Sequence, residues 1–503
     1  MSDSFYTNVT RYGNNILWRG YENGVAFSRK VKYQPTLFTR TKDETPWSSF
    51  VENMPIQPKK FETMGDTKDF IEKYKGVDGF GVYGNSNYVT QFIQEKYPNN
   101  ITFDMNIVNI FSFDIEVDIR DGKPNMEIAD KPITSIATKS SKQDHYYLLG
   151  LKDYDRYATL TGIDPKNIRF IKCDSEKDLL EKFMRIWCEN YPDIVTGWNC
   201  DFFDVQYVVT RIISLFSEAR AKELSPWGYI KKKSIEKFGK RQYSYEIYGI
   251  SIIDYMDVFK KFGYKYGTQE SYRLDHIAHV VLGEKKLDYS QYGTLTALYD
   301  NNPQLYLDYN LKDTLLIQRF EDETAMLSLT LTVAYGGGVN FNDAFGTVGI
   351  WEATIYRKLM DKKLVPAVKS ISGGTPSDLV GGYVKEPIPN IYSWVVSFDL
   401  NSLYPKLMAQ YNMSPETYIS YVRSKVTPDM VLEGKYQNNN KNHSVCANGA
   451  HFSNEKIGVI PEIINEYYAK RSKTKVEMLE MESLLELINE EKAKRKSNLA
   501  IST

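Results

Sequence analysis

The chain has 503 residues, a length that predicts about two to four domains, each with a substantial hydrophobic core. Its 63 Lys and Arg residues balance 64 Asp and Glu residues, so the formal net charge of -1 provides no global basic field for nucleic acid, although a local basic groove is compatible with it. The four cysteines form no CxxC pair and predict reduced thiols of a cytosolic protein, not a disulfide framework or a zinc site. No apolar run approaches the roughly 20 residues of a membrane span, and the N-terminus lacks the apolar core of a signal peptide.

The first two thirds of the chain predict two domains. Residues 1–106 contain strand-like segments among many aromatic and turn residues, a pattern typical of a small α+β domain. Residues 107–335 alternate apolar strands with amphipathic helices, which indicates an α/β layer structure with its site at the carboxyl ends of the strands.

The last third predicts a connector, a second strand-bearing region and a long helix. The glycine-rich residues 336–382 predict a connector between domains. Residues 383–460 contain "WVVSFDL" (394–400), which predicts a buried strand. Residues 461–503 are rich in Glu, Lys, Leu and Met and predict one long helix, whose apolar residues favour docking to a partner helix.

The strand "SFDIEVDIRDG" (112–122) places two acids on one face. Residues alternate sides along a strand, so Asp114 and Glu116 point together while Phe113 and Ile115 point the other way. Like charges side by side repel, and a divalent cation between them removes the cost of burying both. The alternative is a solvent-facing edge strand whose acids only keep it soluble.

The helical stretch 308–320 carries a further acid in an apolar stripe. Asp313 shares one helix face with Tyr309 and three large apolar side chains, so it predicts either a cation ligand or a buried, hydrogen-bonded carboxyl. Tyr309 lies one turn earlier and predicts either core packing or a hydroxyl that reaches the same space. Asp308 precedes Lys312 by four residues and predicts an exposed ion pair.

A fourth acid follows the predicted strand that ends at Val195. A glycine-containing turn comes next, and Asp204 begins the following helix. In that position an Asp can cap the helix or complement its dipole, so a helix cap and a cation ligand are both open for Asp204.

Together, three spaced patterns resemble the DEDDy family of 3′–5′ exonucleases: Asp-x-Glu at 114 and 116, Asn-x4-Asp at 199 and 204, and Tyr-x3-Asp at 309 and 313. The resemblance implies a ribonuclease-H-like exonuclease domain over 107–335 that binds two Mg²⁺ or Mn²⁺ ions. It also implies that Tyr309 orients the attacking water and that four carboxylates are the metal ligands: Asp114, Glu116, Asp204 and Asp313.

A second pattern, "VVSFDLNSLYP" (395–405), resembles motif A of the B-family DNA polymerases. The resemblance implies that 383–460 is the first part of a polymerase palm, with Asp399 and Leu400 at the polymerase metals and Tyr404 beneath the sugar of the incoming dNTP. Its implied nucleotide-binding residues are Leu400, Asn401, Ser402, Leu403 and Tyr404. The alternative is a buried strand that ends in a proline-containing turn.

Four further segments, spread over the chain, are "KVKYQPTLFT" (30–39), "YGISIIDYMDVFKKF" (248–262), "VKEPIPN" (384–390) and "NMSPET" (412–417). They resemble segments of the replicative DNA polymerases of T-even-type bacteriophages, and this resemblance runs over essentially the whole chain. In that family the first fingers helix grips the nucleotide triphosphate, which implies this role for Arg471 and Lys475, four residues apart on 461–503. The alternative is a solvated basic face. The stretch 231–241 carries six basic residues and one acid, and it predicts either a hairpin or loop that follows the DNA backbone or a solvated loop.

The family's second fingers motif and its Asp-Thr-Asp turn are not found after Arg471. We therefore expect the N-terminal chain of a split polymerase that carries a proofreading exonuclease and needs a second polypeptide for the rest of palm, fingers and thumb. The polymerase metals would bind only with that chain, and a sliding clamp would bind through it. A truncated chain, a free-standing 3′–5′ exonuclease and a non-catalytic nucleic-acid-binding regulator remain alternatives. The remaining expectations are primer–template DNA, single-stranded DNA 3′ ends and dNTP as partners, and the cytoplasm of a bacterial host as the location.

Overall fold

The computed structural model describes most of the chain. It covers residues 4–501 apart from 78, 100, 121, 238–239, 370–385, 422–429, 431–432, 436–441 and 447, and it leaves the side chains of 235–241, 493 and 495–501 undescribed.

The strands among these residues are β1 (Ser4–Tyr12), β2 (Asn15–Glu22), β3 (Val25–Lys32), β4 (Thr36–Arg40), β5 (Ser48–Ser49), β6 (Ile56–Lys60), β7 (Val82–Tyr83), β8 (Ile110–Val117), β9 (Ile133–Ser140), β10 (Tyr146–Gly150), β11 (Ile168–Lys172), β12 (Ile194–Thr196), β13 (Ile230–Lys237), β14 (Lys240–Ile247), β15 (Ser251–Ile252), β16 (Leu364–Val365), β17 (Tyr418–Tyr421), β18 (His443–Val445) and β19 (Ala450–Ser453).

The helices are α1 (Met64–Tyr74), α2 (Tyr88–Lys96), α3 (Glu176–Glu189), α4 (Gln206–Leu215), α5 (Glu218–Lys222), α6 (Tyr255–Phe262), α7 (Leu274–Leu282), α8 (Leu295–Asn301), α9 (Pro303–Thr324), α10 (Met326–Gly337), α11 (Thr347–Asp361), α12 (Leu403–Gln410) and α13 (Val459–Ile501). A single π-helical turn, Asp201–Val205, precedes α4. None of the described helices combines the length and the apolar character that crossing a membrane requires.

The chain forms two compact units. The first contains Met1–Thr36, Lys60–Phe70 and Asn85–Thr354, and the second contains Leu37–Lys59, Ile71–Gly84 and Ile355–Thr503. In the first unit one core is shared by aromatic side chains of β1, α6, α9 and α10, such as Tyr6, Tyr255, Phe320 and Tyr335. The predicted domain boundaries do not coincide with the limits of these units and stay predictions.

The first unit is built on a six-stranded mixed sheet in the order β11-β10-β9-β8-β12-β15. Strands β8, β12 and β15 run parallel, whereas β9 is antiparallel to both β8 and β10. The predicted alternation in β8 is confirmed, because Phe113 and Ile115 are 2% and 3% exposed and belong to the core that also contains Trp187 of α3. The opposite face of β8 therefore carries its two acids.

Helix α9 covers that opposite face of the sheet. Its Leu307 and Leu311 share a core with Ala137 of β9 and Leu148 of β10. Asn302 caps the helix by accepting a hydrogen bond from the Leu305 N–H, and Pro303 occupies the first turn, where a missing N–H costs nothing. The predicted helix over 308–320 is thus confirmed as part of a longer one.

The second unit contains the small sheets β6-β4-β7 and β17-β19-β18, and the pair β16-β5. Its long helix α13 confirms the helix predicted near the end of the chain and begins in a core of Phe50, Leu359, Val459 and Ile463. Ion pairs join α11 to the first turns of α13: the Lys358 amino group lies 3.2 Å from Glu462 and 2.5 Å from Glu466.

The prediction of a buried strand over 394–400 is wrong. These residues form no strand, and the side chains of Trp394 and Phe398 are 98% and 91% exposed. A strand is stable only when a neighbouring strand bonds its backbone N–H and C=O groups, and no strand in the described part of the chain pairs with 394–400.

Candidate metal centre

Three carboxylates converge beside the central strand of the first unit. Asp114 and Glu116 come from β8, and Asp313 comes from α9, which crosses the same face of the sheet. One oxygen of each carboxylate can be chosen so that the three atoms lie within 4.8 Å of one another. The spacing of two residues along β8 and the packing of α9 against it therefore bring together acids that are far apart in the sequence.

Asp204 adjoins this cluster from the π-helical turn. Its side chain is 2% exposed, and its Oδ1 accepts a hydrogen bond of 3.0 Å from the backbone N–H of Ile115, the residue between the two acids of β8. Helix α4 has no side-chain cap, so the cap considered for Asp204 is not observed. Asp204 is not one of the three acids within 4.8 Å of one another.

Burial raises the pKa of these four acids, and the charge of a nearby acid adds to the effect in each case. Burial, followed by the charge of Asp313, raises the pKa of Asp114 to about 8. The pKa of Glu116 is raised well above its ordinary value by burial and then by Asp114. Burial also raises the pKa of Asp204 and of Asp313. Four neighbouring acids whose ionised forms are disfavoured make a site at which a cation would stabilise the carboxylates.

A lysine that the sequence did not reveal reaches the cluster. The Lys286 amino group donates to Asp313 Oδ2 at 2.5 Å and to the Tyr309 hydroxyl at 3.0 Å. Burial lowers the pKa of Lys286, but the charge of Asp313 and the interactions with Tyr309 outweigh it and hold that pKa above its ordinary value. Lys286 lies 27 residues before Asp313, outside any periodic pattern, so only the fold brings the two together.

Asn310 is a second residue that the sequence did not reveal. Its amide nitrogen donates to Asp114 Oδ2 at 2.7 Å, while its amide oxygen accepts from Ser135 at 2.9 Å. These bonds fix the orientation of the Asp114 carboxylate. The sequence offered one signal for Asn310, because it is a polar residue next to Tyr309 and one helical turn before Asp313.

The donor set fits Mg²⁺ or Mn²⁺. Both ions prefer carboxylate oxygens at a site that leaves room for water and substrate phosphate. In the described part of the chain, Asp313 Oδ1 is buried and has no hydrogen-bond partner. A buried carboxylate oxygen without a donor, beside two further carboxylates, is the atom that a cation would satisfy.

The cluster opens into a cleft of about 1050 Å³. Asp114, Tyr309 and Asp313 line the cleft with acidic and phenolic groups. Its other lining residues are mainly aromatic, basic or polar: Trp198, Asn199, Met256, Tyr272, Arg273, Leu274, Asp275, Lys285, Lys286, Leu287, Asp288, Tyr289 and Ser290. Such a wall can stack bases and attract phosphates.

The prediction that Asp308 is an exposed ion-pair partner is wrong. Asp308 is fully buried and accepts hydrogen bonds from the Tyr154 and Thr159 hydroxyls and the Leu160 N–H. Lys312 pairs with Glu284 instead, at 2.9 Å. The helix is covered on this side by a loop whose contacts no local pattern reveals.

The residues of the polymerase-like motif lie in the second unit and are exposed, apart from the half-buried Ser402. Asp399, Leu400 and Asn401 precede α12. Ser402, the residue before this helix, has a left-handed backbone conformation with a φ of 57°. The predicted nucleotide-binding residues Leu403 and Tyr404 lie on α12 and are 39% and 73% exposed.

Helix α13 carries the predicted triphosphate ligands. Arg471 and Lys475 are exposed on it. Tyr468, one turn before Arg471, contacts the motif: its hydroxyl accepts from the Asn401 amide at 3.3 Å, and Lys406 lies 5.0 Å from its ring.

The basic stretch 231–241 is a hairpin. Strands β13 and β14 pair in antiparallel register from Ile230 opposite Ile247 to Lys237 opposite Lys240. The hairpin belongs to the first unit, and whether it follows a DNA backbone stays a prediction.

Two family models match the chain. The exonuclease domain of DNA polymerase family B matches residues 86–277, and DNA polymerase family B matches residues 351–493, together about two thirds of the chain. Each model covers one of the two motif-bearing regions, the first with Asp114, Glu116 and Asp204, and the second with Asp399.

The chain is also similar to named polymerases. It is 30% identical to the DNA-directed DNA polymerase of Escherichia phage RB69 and 29% identical to that of Enterobacteria phage T4, over 97% and 96% of its own length. It is 27% identical, over 60% of its length, to the DNA polymerase delta catalytic subunit of Dictyostelium discoideum. The chain spans 55% of the length of the two phage relatives. These similarities and both family models agree, and the chain belongs to DNA polymerase family B.

Proposed function

We propose that the first unit is a 3′–5′ exonuclease that removes nucleotides from the 3′ end of DNA. The observation that carries this proposal is the convergence of Asp114, Glu116 and Asp313 within 4.8 Å, two of which, Asp114 and Asp313, line an open cleft. The proposal includes a ribonuclease-H-like sheet, supported by the position of the two acids on β8, which lies between β9 and β12.

The residues present fit a site for two cations. Two bound Mg²⁺ or Mn²⁺ ions would activate water and offset the charge that develops on the leaving oxygen. Asp114, Glu116, Asp204 and Asp313 are the ligands we propose. Asp204 would join through the oxygen not bonded to Ile115, since its Oδ1 already accepts that N–H.

Two further side chains orient the reacting groups. Tyr309 would position the attacking water with its hydroxyl, which Lys286 holds through a hydrogen bond of 3.0 Å. The burial of Tyr309 raises its pKa, with the charge of Asp313 as the next cause, so the hydroxyl stays protonated and acts as a donor at neutral pH. Lys286 also offsets the charge of Asp313.

The substrate we propose is a single-stranded 3′ end. Rings of Trp198, Tyr272 and Tyr289 line the cleft and can stack unpaired bases, while Arg273 and Lys285 add positive charge for phosphates. Stacking is tolerant of sequence, as removal of any terminal nucleotide requires. Proofreading of a newly made primer end is the role that this substrate fits.

We further propose that residues 383–460 are the first part of a polymerase palm, where Asp399 and Leu400 serve the polymerase metals. Arg471 and Lys475 would bind the dNTP triphosphate. The match of 351–493 to DNA polymerase family B supports this, as does the similarity to two phage polymerases.

Synthesis would need the palm, fingers and thumb residues of a second polypeptide, which would also bind the sliding clamp. The exposed segment 394–400 supports this, because an apolar stretch of that composition gains stability once strands pair with it. The exposed apolar residues of α13 would dock that second chain: Met478, Leu479, Leu484, Leu485 and Ile488. The place of action would be the cytoplasm of a bacterial host.

A gel assay tests these proposals. The chain and Asp114→Ala are incubated with a 3′-recessed, 5′-labelled primer–template and Mg²⁺, with and without dNTPs. We expect the chain to shorten the primer, the variant to leave it intact, and neither to extend it. Extension would contradict the need for a second polypeptide. An unchanged primer together with tight DNA binding would favour a nucleic-acid-binding regulator.

A further inference from the structure

A short turn forms one wall of the cleft. The turn 197–201 follows β12 and ends on Asp201, the first residue of the π-helical turn. Its Trp198 and Asn199 line the cleft together with Asp114 and Asp313. Asn199 has a φ of 62°, in the left-handed region that side chains other than glycine rarely adopt. Gly197 leaves no room for change, because a Cβ there would lie 2.8 Å from the backbone oxygen of Phe113. A turn of this kind keeps its shape only if other groups hold it.

Asp254 holds this turn through its backbone. The carboxylate is 4% exposed and belongs to the residue before α6. Its Oδ1 accepts from the N–H groups of Asn199 and Met256, both at 2.9 Å, and its Oδ2 accepts from the N–H of Asp201 at 3.3 Å. One side chain thereby bonds the strained residue, the residue two positions after it and the start of α6, whose Met256 also lines the cleft.

Ser244 holds the same turn from the basic hairpin. Its hydroxyl, on β14, is 3% exposed and donates to Asp201 Oδ1 at 2.5 Å. The indole N–H of Trp198 donates to the Tyr272 carbonyl at 3.0 Å, so the ring is fixed on its far side as well. The turn is therefore held by side chains of two elements, neither of which contributes an acid to the cluster.

We propose that Asp254 and Ser244 are positioning residues of the exonuclease site, which hold the turn 197–201 so that Trp198 and Asn199 form a wall for the nucleotides of the 3′ end. This inference rests on the proposed exonuclease function. Neither side chain touches the substrate or the reacting atoms. Their loss should weaken substrate binding more than the chemical step, because Asp114 and Asp313 are held independently by Asn310 and Lys286. Asp204 also has a bond of its own to the sheet, through the Ile115 N–H.

Two variants and two matched controls test the proposal. Asp254→Asn replaces one acceptor oxygen with an amide nitrogen, which cannot accept the Asp201 N–H. Ser244→Ala removes the hydrogen bond to Asp201. Asp193→Asn is the control for the first, because Asp193 is also a buried carboxylate, accepting from Thr7, Tyr21 and the Asn109 N–H, and it does not line the cleft. Ser225→Ala is the control for the second, since its buried hydroxyl donates to the Tyr248 carbonyl.

Steady-state cleavage of a labelled single-stranded oligonucleotide in Mg²⁺ gives KM and kcat for each variant. We expect KM to rise about tenfold in Asp254→Asn and about threefold in Ser244→Ala, with kcat changed less than KM. The thermal midpoint of each variant is measured beside its control. A rise in KM that appears equally in Asp193→Asn or Ser225→Ala would overturn the proposal, and so would a loss confined to kcat.

Binding provides a readout that does not need cleavage. Fluorescence anisotropy of a labelled oligothymidylate, with Ca²⁺ in place of Mg²⁺, should show weaker binding for Asp254→Asn and Ser244→Ala than for the controls. A chain that binds the oligonucleotide but does not cut it contradicts the proposed exonuclease, whereas unchanged binding in both variants contradicts the positioning role.

Discussion

The tripeptide Ser-Phe-Asp occurs at 112–114 in the first unit and at 397–399 in the second, with different structural outcomes. Phe113 is 2% exposed in a strand paired on both sides, whereas Phe398 is 91% exposed in a segment without strand structure. Asp114 consequently lies against two other acids, while Asp399 is exposed. The difference teaches that paired strands on both sides, more than the local sequence, convert an apolar run that ends in an acid into a pre-organised site.

The largest expected effect is a loss of exonuclease rate that occurs when Asp114 is replaced and does not occur when Asp399 is replaced. Asp114→Ala and Glu116→Ala should each lower exonuclease turnover by about 10³-fold or more, because the cations lose a ligand that no neighbour replaces. Release of mononucleotides from a 3′-labelled oligonucleotide measures the rate. Asp399→Ala is the control and should leave it unchanged; a comparable loss there would mean that the second unit contributes to the same site.

A smaller loss is expected at the lysine that only the fold reveals. Lys286→Met should lower kcat by about 10²-fold, because Asp313 and the Tyr309 hydroxyl lose the donor that orients them. Lys285→Met removes a neighbouring positive charge from the wall of the same cleft and is the matched control. Equal losses in the two variants would show that the cleft needs only positive charge at this point.

Thermal stability should depend on pH in the absence of cations. A carboxyl whose pKa is raised in the folded state contributes most to stability when protonated, so that contribution is complete below its ordinary pKa near 4 and is lost as the pH rises through about 8 for Asp114. In chelator, the thermal midpoint should fall by roughly a few degrees between pH 5 and pH 8.5.

Cations and substitutions identify the source of that pH dependence. Mn²⁺ at pH 8.5 should restore the thermal midpoint, because a bound ion stabilises the ionised acids. Asp114→Asn should flatten the pH dependence, and Asp399→Asn should not. A midpoint that rises with pH in chelator would contradict the raised pKa of the cluster.

The smallest expected effect concerns stability at an exposed acid. Asp399→Asn should change the free energy of unfolding by about 0.5 kcal/mol or less, as exposed substitutions usually do. Asp308→Asn is the buried counterpart and should cost about 2 kcal/mol, because it disturbs an acceptor for two hydroxyls and one N–H. Urea unfolding of both variants measures the difference, and equal values would contradict the exposure assigned to Asp399.

Periodicity was sufficient for the elements that carry the site. The alternation of Phe113, Asp114, Ile115 and Glu116 is typical of a strand with one apolar face, and the 3.6-residue spacing around Asp313 indicates a helix. The candidate metal ligands followed from the resemblance of these spaced residues to the DEDDy exonucleases. These features are local, so the sequence by itself determined them.

The tertiary structure decided which distant residues contact one another. Lys286 reaches Asp313, Asn310 orients Asp114 and Asp254 holds Asn199, and none of these pairs follows from spacing along the chain. The burial of Asp308 and the exposure of Phe398 were both mispredicted. Burial depends on whether another segment covers a residue, and a strand depends on a neighbour that bonds its backbone. Contacts of this kind form between distant parts of the chain, and for that reason only the fold could specify them.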